Sequence, residues 1–173
     1  MSRCSKLADI GRRQFLTGGA LSAAGAAAAL GVSPQAKAKP ALARVSYPSN
    51  KLANVADLEI DVPLDVSYPD DDAPGVLLKL GVRVEGGVGA DGDIVGFTTI
   101  CPHKGFPLIY SARDRTLSCR GHYSRFDCEA GGQQIWGHAT QNLPQYSLRI
   151  DEAGDIYAEG LDELLYGRLS NVL

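Results

Sequence analysis

The sequence predicts an all-β domain, on three observations. Apolar and polar residues alternate over short runs, as in Leu58-Glu59-Ile60-Asp61-Val62, which is the period of a half-buried strand. Turn signals recur at close intervals, among them Glu85-Gly86-Gly87, Asp91-Gly92, Gly131-Gly132 and Glu152-Ala153-Gly154. Gly makes up 20 of the 173 residues, and runs with helical periodicity are few, so long helices are disfavoured.

Residues 1–38 read as a leader outside the fold. Gly11-Arg12-Arg13-Gln14-Phe15-Leu16-Thr17 is a twin-arginine pattern, and an Ala/Gly-rich apolar run extends from Leu16 to Val32. Ala36-Lys37-Ala38 then offers small residues for cleavage after Ala38. The apolar run is poor in Leu, Ile, Phe and Val, so it makes a weak membrane span. Membrane attachment is expected only if the leader is retained. The twin-arginine route carries folded proteins, which implies a periplasmic protein that crosses already folded.

Residues 39–54, with Pro40, Pro48, Ser46 and Ser49, read as an extended arm or linker, and residues 55–173 as the domain. Strands are expected at 58–62, 76–84, 93–100, 115–118 and 124–127. Tyr68 to Gly75 is expected to be a loop, with its acid run Asp70-Asp71-Asp72 in solvent. Gly137 to Pro144 reads as irregular. Tyr146–Ile150 and Asp155–Ala158 read as a hairpin, and 161–169 as a short C-terminal helix.

Charge separates the leader from the rest. The chain carries a net −3, yet residues 1–38 hold five Lys/Arg against one acid, leaving residues 39–173 with twelve Lys/Arg against nineteen Asp/Glu. No basic stripe of the kind that binds nucleic acid is present. No residue reads as a catalytic acid, base or nucleophile, so no chemistry on a substrate is expected from this chain alone.

The chemistry lies in residues 100–145. Cys101-Pro102-His103-Lys104-Gly105 and Cys119-Arg120-Gly121-His122-Tyr123-Ser124 each offer one Cys and one His in a short loop. Two thiolates and two imidazoles in C-x-H…C-x-x-H order fit a [2Fe–2S] cluster in which Cys101 and Cys119 hold one iron and His103 and His122 the other. Structural zinc also accepts Cys₂His₂, although zinc modules usually pair Cys with Cys and His with His. Cys128 is left over and reads as a small buried hydrophobe. His138 reads as a hydrogen-bonded loop residue, with a role near the cluster as the alternative, and Trp136 as packing.

The two loops resemble those of the Rieske family. The resemblance implies an antiparallel β-sandwich base carrying a smaller cluster-binding subdomain. It implies that Ser124 donates a hydrogen bond to a bridging sulfide. It also marks two departures from the cytochrome bc-type members. Those carry a disulfide between the loops at the positions of Phe106 and Gly121, and a Tyr at the position of Phe126. Phe106 is expected to cover the cluster and Gly121 to make room for it. Phe126 cannot donate a hydrogen bond. Within the family, the leader, the length and the runs 101–107, 121–127 and 139–145 are most like the small subunit of arsenite oxidase. That implies a heterodimer with a large molybdopterin subunit, with a soluble cytochrome c or a small copper protein as electron acceptor. A quinol-oxidising bc-complex subunit would want a stronger anchor and the disulfide, and a ferredoxin-type carrier would have no export leader. Five Lys/Arg against two acids between Cys101 and Asp127 predict a locally positive cluster face.

Overall fold

The computed structural model describes residues 46–168, whose regular structure is ten strands in three sheets and one short 3₁₀ turn. The strands are β1 (Asn50–Asn54), β2 (Leu64–Ser67), β3 (Pro74–Lys79), β4 (Ile94–Thr98), β5 (Leu108–Ser111), β6 (Thr116–Cys119), β7 (Arg125–Asp127), β8 (Gln133–Trp136), β9 (Tyr146–Ile150) and β10 (Asp155–Leu161). The sheets run β1-β10-β9, β2-β3-β4 and β5-β6-β7-β8, and every paired strand is antiparallel to its neighbour. The fold is all-β, as the sequence predicts.

The sheet β2-β3-β4 is the middle layer, and its sequence says why. Val76-Leu77-Leu78 is apolar without alternation, the mark of a strand buried on both faces. Leu77 and Ile94 face Ile156 and Leu58, with Leu148 and Ile150 of β9 beside them, and so close the base sandwich. Val76, Leu78, Val95 and Phe97 point the other way, onto Leu108, Leu117, Phe126 and Cys128 of the four-stranded sheet. That sheet is inserted between β4 and β9, so both of its ends are anchored in the base.

Several expected elements differ. Asn50–Asn54, read as the end of an arm, is β1 and pairs with β10. The alternating run at 58–62 is not a strand. Ile60 makes a single parallel bridge to Lys79, Asp61 turns the chain at φ 61°, and Ile60 and Val62 stay exposed. Pro63 then separates this run from the true strand β2. The strand expected at 76–84 ends at Lys79, and β5 and β8 appear where none was expected. No helix forms over residues 161–168. Leu161 closes β10, Gly167 takes φ 78°, and Leu165 packs with Tyr68 and Tyr146. The acid run at 70–72 is not all solvated surface, because Asp70 accepts two hydrogen bonds from Arg168, one of 2.8 Å. The leader and residues 39–45 lie outside the described residues.

Asp61 ties the base to the inserted sheet. Arg115 grips it with Nε–Oδ1 at 2.9 Å and Nη2–Oδ2 at 3.1 Å, and Tyr110 donates its hydroxyl to Oδ1 at 3.1 Å. Arg115 also donates to Glu129 at 2.7 Å. The Arg115 guanidinium holds the Asp61 carboxyl below its ordinary value. A depressed carboxylate contributes stability above its unfolded pKa and loses it as pH falls through the folded one. Asp61→Asn should therefore cost about 1–2 kcal/mol at neutral pH. Denaturant melts should show that cost shrinking as pH falls below about 4. A cost independent of pH would mean that the charge is not what matters.

Candidate metal centre

Both loops close on the same backbone bonds. Cys101 N–H donates to the Phe106 carbonyl at 2.8 Å, and Gly105 N–H donates back to Cys101 at 2.9 Å. In the second loop Cys119 N–H donates to Ser124 at 2.8 Å, and Tyr123 N–H to Cys119 at 3.0 Å. The residue four after each Cys takes a left-handed conformation, Gly105 at φ 70° and Tyr123 at φ 59°. One loop links β4 to β5 and the other β6 to β7, so both turn at one end of the inserted sheet.

This geometry brings the four donors together. Cys101 and Cys119 are buried as free thiols, close enough for one to hydrogen-bond the other. Burial pushes the Cys101 thiol up, against the pull of the His103 and Lys104 backbone N–H groups, and the Cys119 contact raises it further. A thiol pushed up in this way ionises readily only when a metal takes the place of its proton. The His103 and His122 rings meet edge to face at 4.7 Å between centroids. Burial is the main cause that holds His103 below the ordinary imidazole value, with His122 adding to it, which keeps the ring neutral as a ligand must be. His103 Nδ1 is buried without a hydrogen-bond partner. A buried, unpartnered ring nitrogen on an imidazole that also meets a second imidazole is what a metal ligand looks like without its metal. Among the described residues no three such side chains converge on a single ion. A two-iron cluster asks only two donors of each metal, whereas structural zinc needs four.

Phe106 lies over Gly121, and a Cβ added to Gly121 would fall 2.8 Å from the Phe106 ring. The Phe106 ring also meets His122 edge to face at 5.8 Å. It remains 45% exposed, so its packing contributes about half of a full burial, roughly 1 kcal/mol. Phe126 is fully buried in the core that contains Cys101 and Cys119. It stands opposite Leu117, hence on the same face of the sheet as Cys119. Ser124 is also fully buried, and its Oγ accepts hydrogen bonds from His138 N–H at 3.1 Å and Ala139 N–H at 3.0 Å.

Two residues and the charge of the cluster face depart from the simplest reading of the sequence. His138 is not merely a loop residue: its ring lies nearly parallel to His103 at 5.9 Å and within 6.1 Å of His122. Nothing in its spacing could have shown this, because β8 and its return against Ser124 were not legible. Trp136 is 67% exposed rather than packed, and it lines a cleft of about 400 Å³ with Ser118, Cys119, Tyr123 and Arg125. The positive face is thinner than the sequence suggests. Arg115 is bound to Asp61 and Glu129, and Arg125 to Asp114, which leaves Lys104, Arg113 and Arg120 without ion pairs among the described residues.

Cys128 is fully buried, and its thiol is pushed up to about 12, chiefly by burial. No disulfide forms among the described residues. Native protein treated with a thiol reagent should therefore leave Cys128 unmodified, and the reagent should reach it only in denaturant. Intact mass under non-reducing conditions should match free thiols, and a value two daltons lower would contradict this.

The model of the Rieske [2Fe-2S] domain family matches residues 50–147, and the chain belongs to that family. It therefore binds a [2Fe–2S] cluster, and its work is electron transfer. Among curated proteins it is 39% identical to an iodate reductase subunit IdrB of Pseudomonas sp. (strain SCT), over 92% of this chain and 83% of that protein. It is 40% identical to the IdrB subunit of Denitromonas iodatirespirans, over 74% of this chain and 70% of that one. Among solved structures, the soluble domain of Rieske protein II (soxF) from Sulfolobus acidocaldarius superposes with a TM-score of 0.63 at 23% identity, covering 71% of this chain and 82% of that one, which shows the shared fold.

Proposed function

We propose that this chain is the small, electron-transferring subunit of a periplasmic molybdopterin oxidoreductase that acts on an oxyanion. Cys101 and Cys119 hold the inner iron of its cluster, and His103 and His122 hold the outer one. The cluster supplies one-electron chemistry. The chain supplies the apolar enclosure around the thiolates and an exposed imidazole edge through which a partner can approach. The observation that carries the reading is the 39% identity with an iodate reductase subunit, sustained over 92% of this chain. The leader read at residues 1–38 supports export.

Iodate is the first substrate to test, and arsenite the second. The arsenite oxidase resemblance rests on the leader, the length and three short runs, whereas the likeness to the iodate reductase subunits extends over most of the chain. The two differ in the direction of electron flow. Iodate reduction draws electrons from a cytochrome c or small copper protein through this chain to the large subunit, and arsenite oxidation returns them along the same path.

Affinity purification from the periplasm should bring down a large molybdopterin subunit. The complex should then oxidise a reduced carrier when iodate is added. Turnover with arsenite and an oxidised carrier, but not with iodate, would replace the substrate. Co-purification with a cytochrome b would overturn the reading in favour of a quinol-oxidising complex.

A further inference from the structure

We infer that the cleft walled by Tyr123 and Trp136 is the docking site of the soluble electron carrier, on a face separate from the histidine edge. The inference rests on the electron-transfer reading above and names the surface through which it works. A subunit that passes electrons between a permanent partner and a soluble one meets both at once, so it needs two faces near its cluster. The exposed His122 ring marks one. The outer face of the inserted sheet supplies the other. Cross-strand register sets Ile109, Ser118, Arg125 and Trp136 in one row across β5, β6, β7 and β8. Their neighbours Leu117 and Phe126 point into the core, so the row faces outward. Tyr123 stands beside it from the second loop, 72% exposed, and Trp136 is 67% exposed. Cys119, buried and a proposed iron ligand, completes the lining of the cleft. The cleft thus approaches the cluster from its thiolate side, and His122 from its imidazole side.

The chemistry of the lining says what fits it. Large aromatics exposed side by side mark a protein-docking site. Arg125 is the one charged residue of the lining, and Asp114 pairs with it at 2.5 Å. The lining is therefore apolar and close to neutral, which suits a redox protein whose cofactor edge is ringed by apolar side chains. Arg120, next in the chain to Cys119, is exposed and has no ion pair among the described residues, so the rim favours a carrier with an acidic edge. The scale fits a carrier too. A permanent interface takes about 20–30 residues a side, and weak electron-transfer encounters are the small ones. The permanent partner has the richer apolar surface at the tip. There Phe106 meets His122 and Tyr166 lies against Gly105, with Leu164 two residues away, and all three are about half exposed. In the transfer itself the carrier's reduced haem iron or copper loses one electron and the oxidised cluster gains it, and no bond forms or breaks. Oxidation of a substrate by the large subunit runs the same transfer backwards.

Trp136→Ala and Trp136→Phe test the inference in the full chain, purified with its large subunit. Trp136 is mostly exposed, so both variants keep the fold. Stopped-flow mixing of the oxidised complex with a reduced acidic c-type cytochrome, and separately with a reduced blue-copper protein, reads the second-order rate constant. In a weak, fast-exchanging encounter that constant follows the docking equilibrium. With whichever probe the wild type accepts, Trp136→Ala should lower it roughly tenfold, as loss of a docking hot spot does. Trp136→Phe should keep most of it. Hexaammineruthenium(II), a one-electron reductant too small to need a docking face, should reduce wild type and variants at equal rates. Midpoint potential and large-subunit content should stay at the wild-type values. Unchanged rates with both protein probes in Trp136→Ala would overturn the inference. An equal slowing toward hexaammineruthenium(II), or a shifted potential, would place the effect in the cluster and also overturn it. Loss of the large subunit from Trp136→Ala would give the cleft to that subunit instead, which overturns it as well. A wild-type complex that exchanges electrons with neither protein probe would sink the reading of a soluble carrier itself, which is a separate failure.

Discussion

Cys119→Ala should yield a protein with no iron–sulfur cluster, and His122→Cys should yield one whose spectrum is no longer of Rieske type. The first expectation follows from the pairing of two buried thiols. With Cys119 gone, Cys101 is left as a lone buried thiol that has nothing to share a metal with. Iron and acid-labile sulfide, two of each per chain in the native domain, should fall to background. The second expectation follows from charge. Cysteine in place of His122 puts a third thiolate on the cluster. That adds negative charge, makes reduction harder, and moves the centre away from the Rieske range of about −150 to +300 mV. His122 is exposed, so the exchange disturbs little of the core. An unchanged EPR spectrum in His122→Cys would remove His122 from the ligand set, and full cluster content in Cys119→Ala would do the same for Cys119.

Phe126→Tyr should raise the midpoint potential by roughly 40–65 mV. A hydroxyl that donates to a ligand sulfur stabilises the reduced, more electron-rich cluster over the oxidised one. Taking that preference as about 1–1.5 kcal/mol, the conversion for a one-electron couple gives the quoted range. The geometry makes the outcome two-sided. Phe126 has no solvent exposure and shares a core with Cys101 and Cys119, so water cannot reach a new hydroxyl there. If the hydroxyl finds the ligand sulfur, the potential rises and stability is nearly kept. If it finds nothing, the potential stays and the fold loses about 1–3 kcal/mol for a buried unsatisfied donor. Voltammetry and a denaturant melt on one variant therefore distinguish the two. A lower potential would show that the bc-type arrangement does not carry over.

The two Cys-His loops stand out in the sequence because the pattern that marks them is local. A Cys and a His within two or three residues, in a Gly-marked turn, need no knowledge of the rest of the chain. The hairpin at 146–158 was legible for the same reason, because a turn signal sits between two alternating runs. What failed depended on distant partners. Leu58 to Val62 alternates like a strand, but the side of it that is held is Asp61, by Arg115 from the inserted sheet. Gln133–Trp136 shows no apolar period, because it is an outer strand with a mostly exposed face. Missing that strand hid the approach of His138 to His103. The Leu161–Leu169 run looked helical because Leu161 and Leu165 are apolar at a spacing of four, yet Leu161 is the end of β10 and Leu165 packs back onto Tyr68 and Tyr146. The pairing of Phe106 with Gly121 could be expected only from the family comparison. The packing it produces is real but half exposed, a weaker brace than a disulfide of about 2–4 kcal/mol.

The central claim is that two imidazoles and two thiolates hold one cluster, and pulsed EPR of the reduced protein labelled with ¹⁵N-histidine tests it most directly. Two distinct histidine nitrogen couplings are predicted, one of which disappears in His122→Cys. A cluster signal with no histidine coupling, or with couplings that survive that substitution unchanged, would contradict the account.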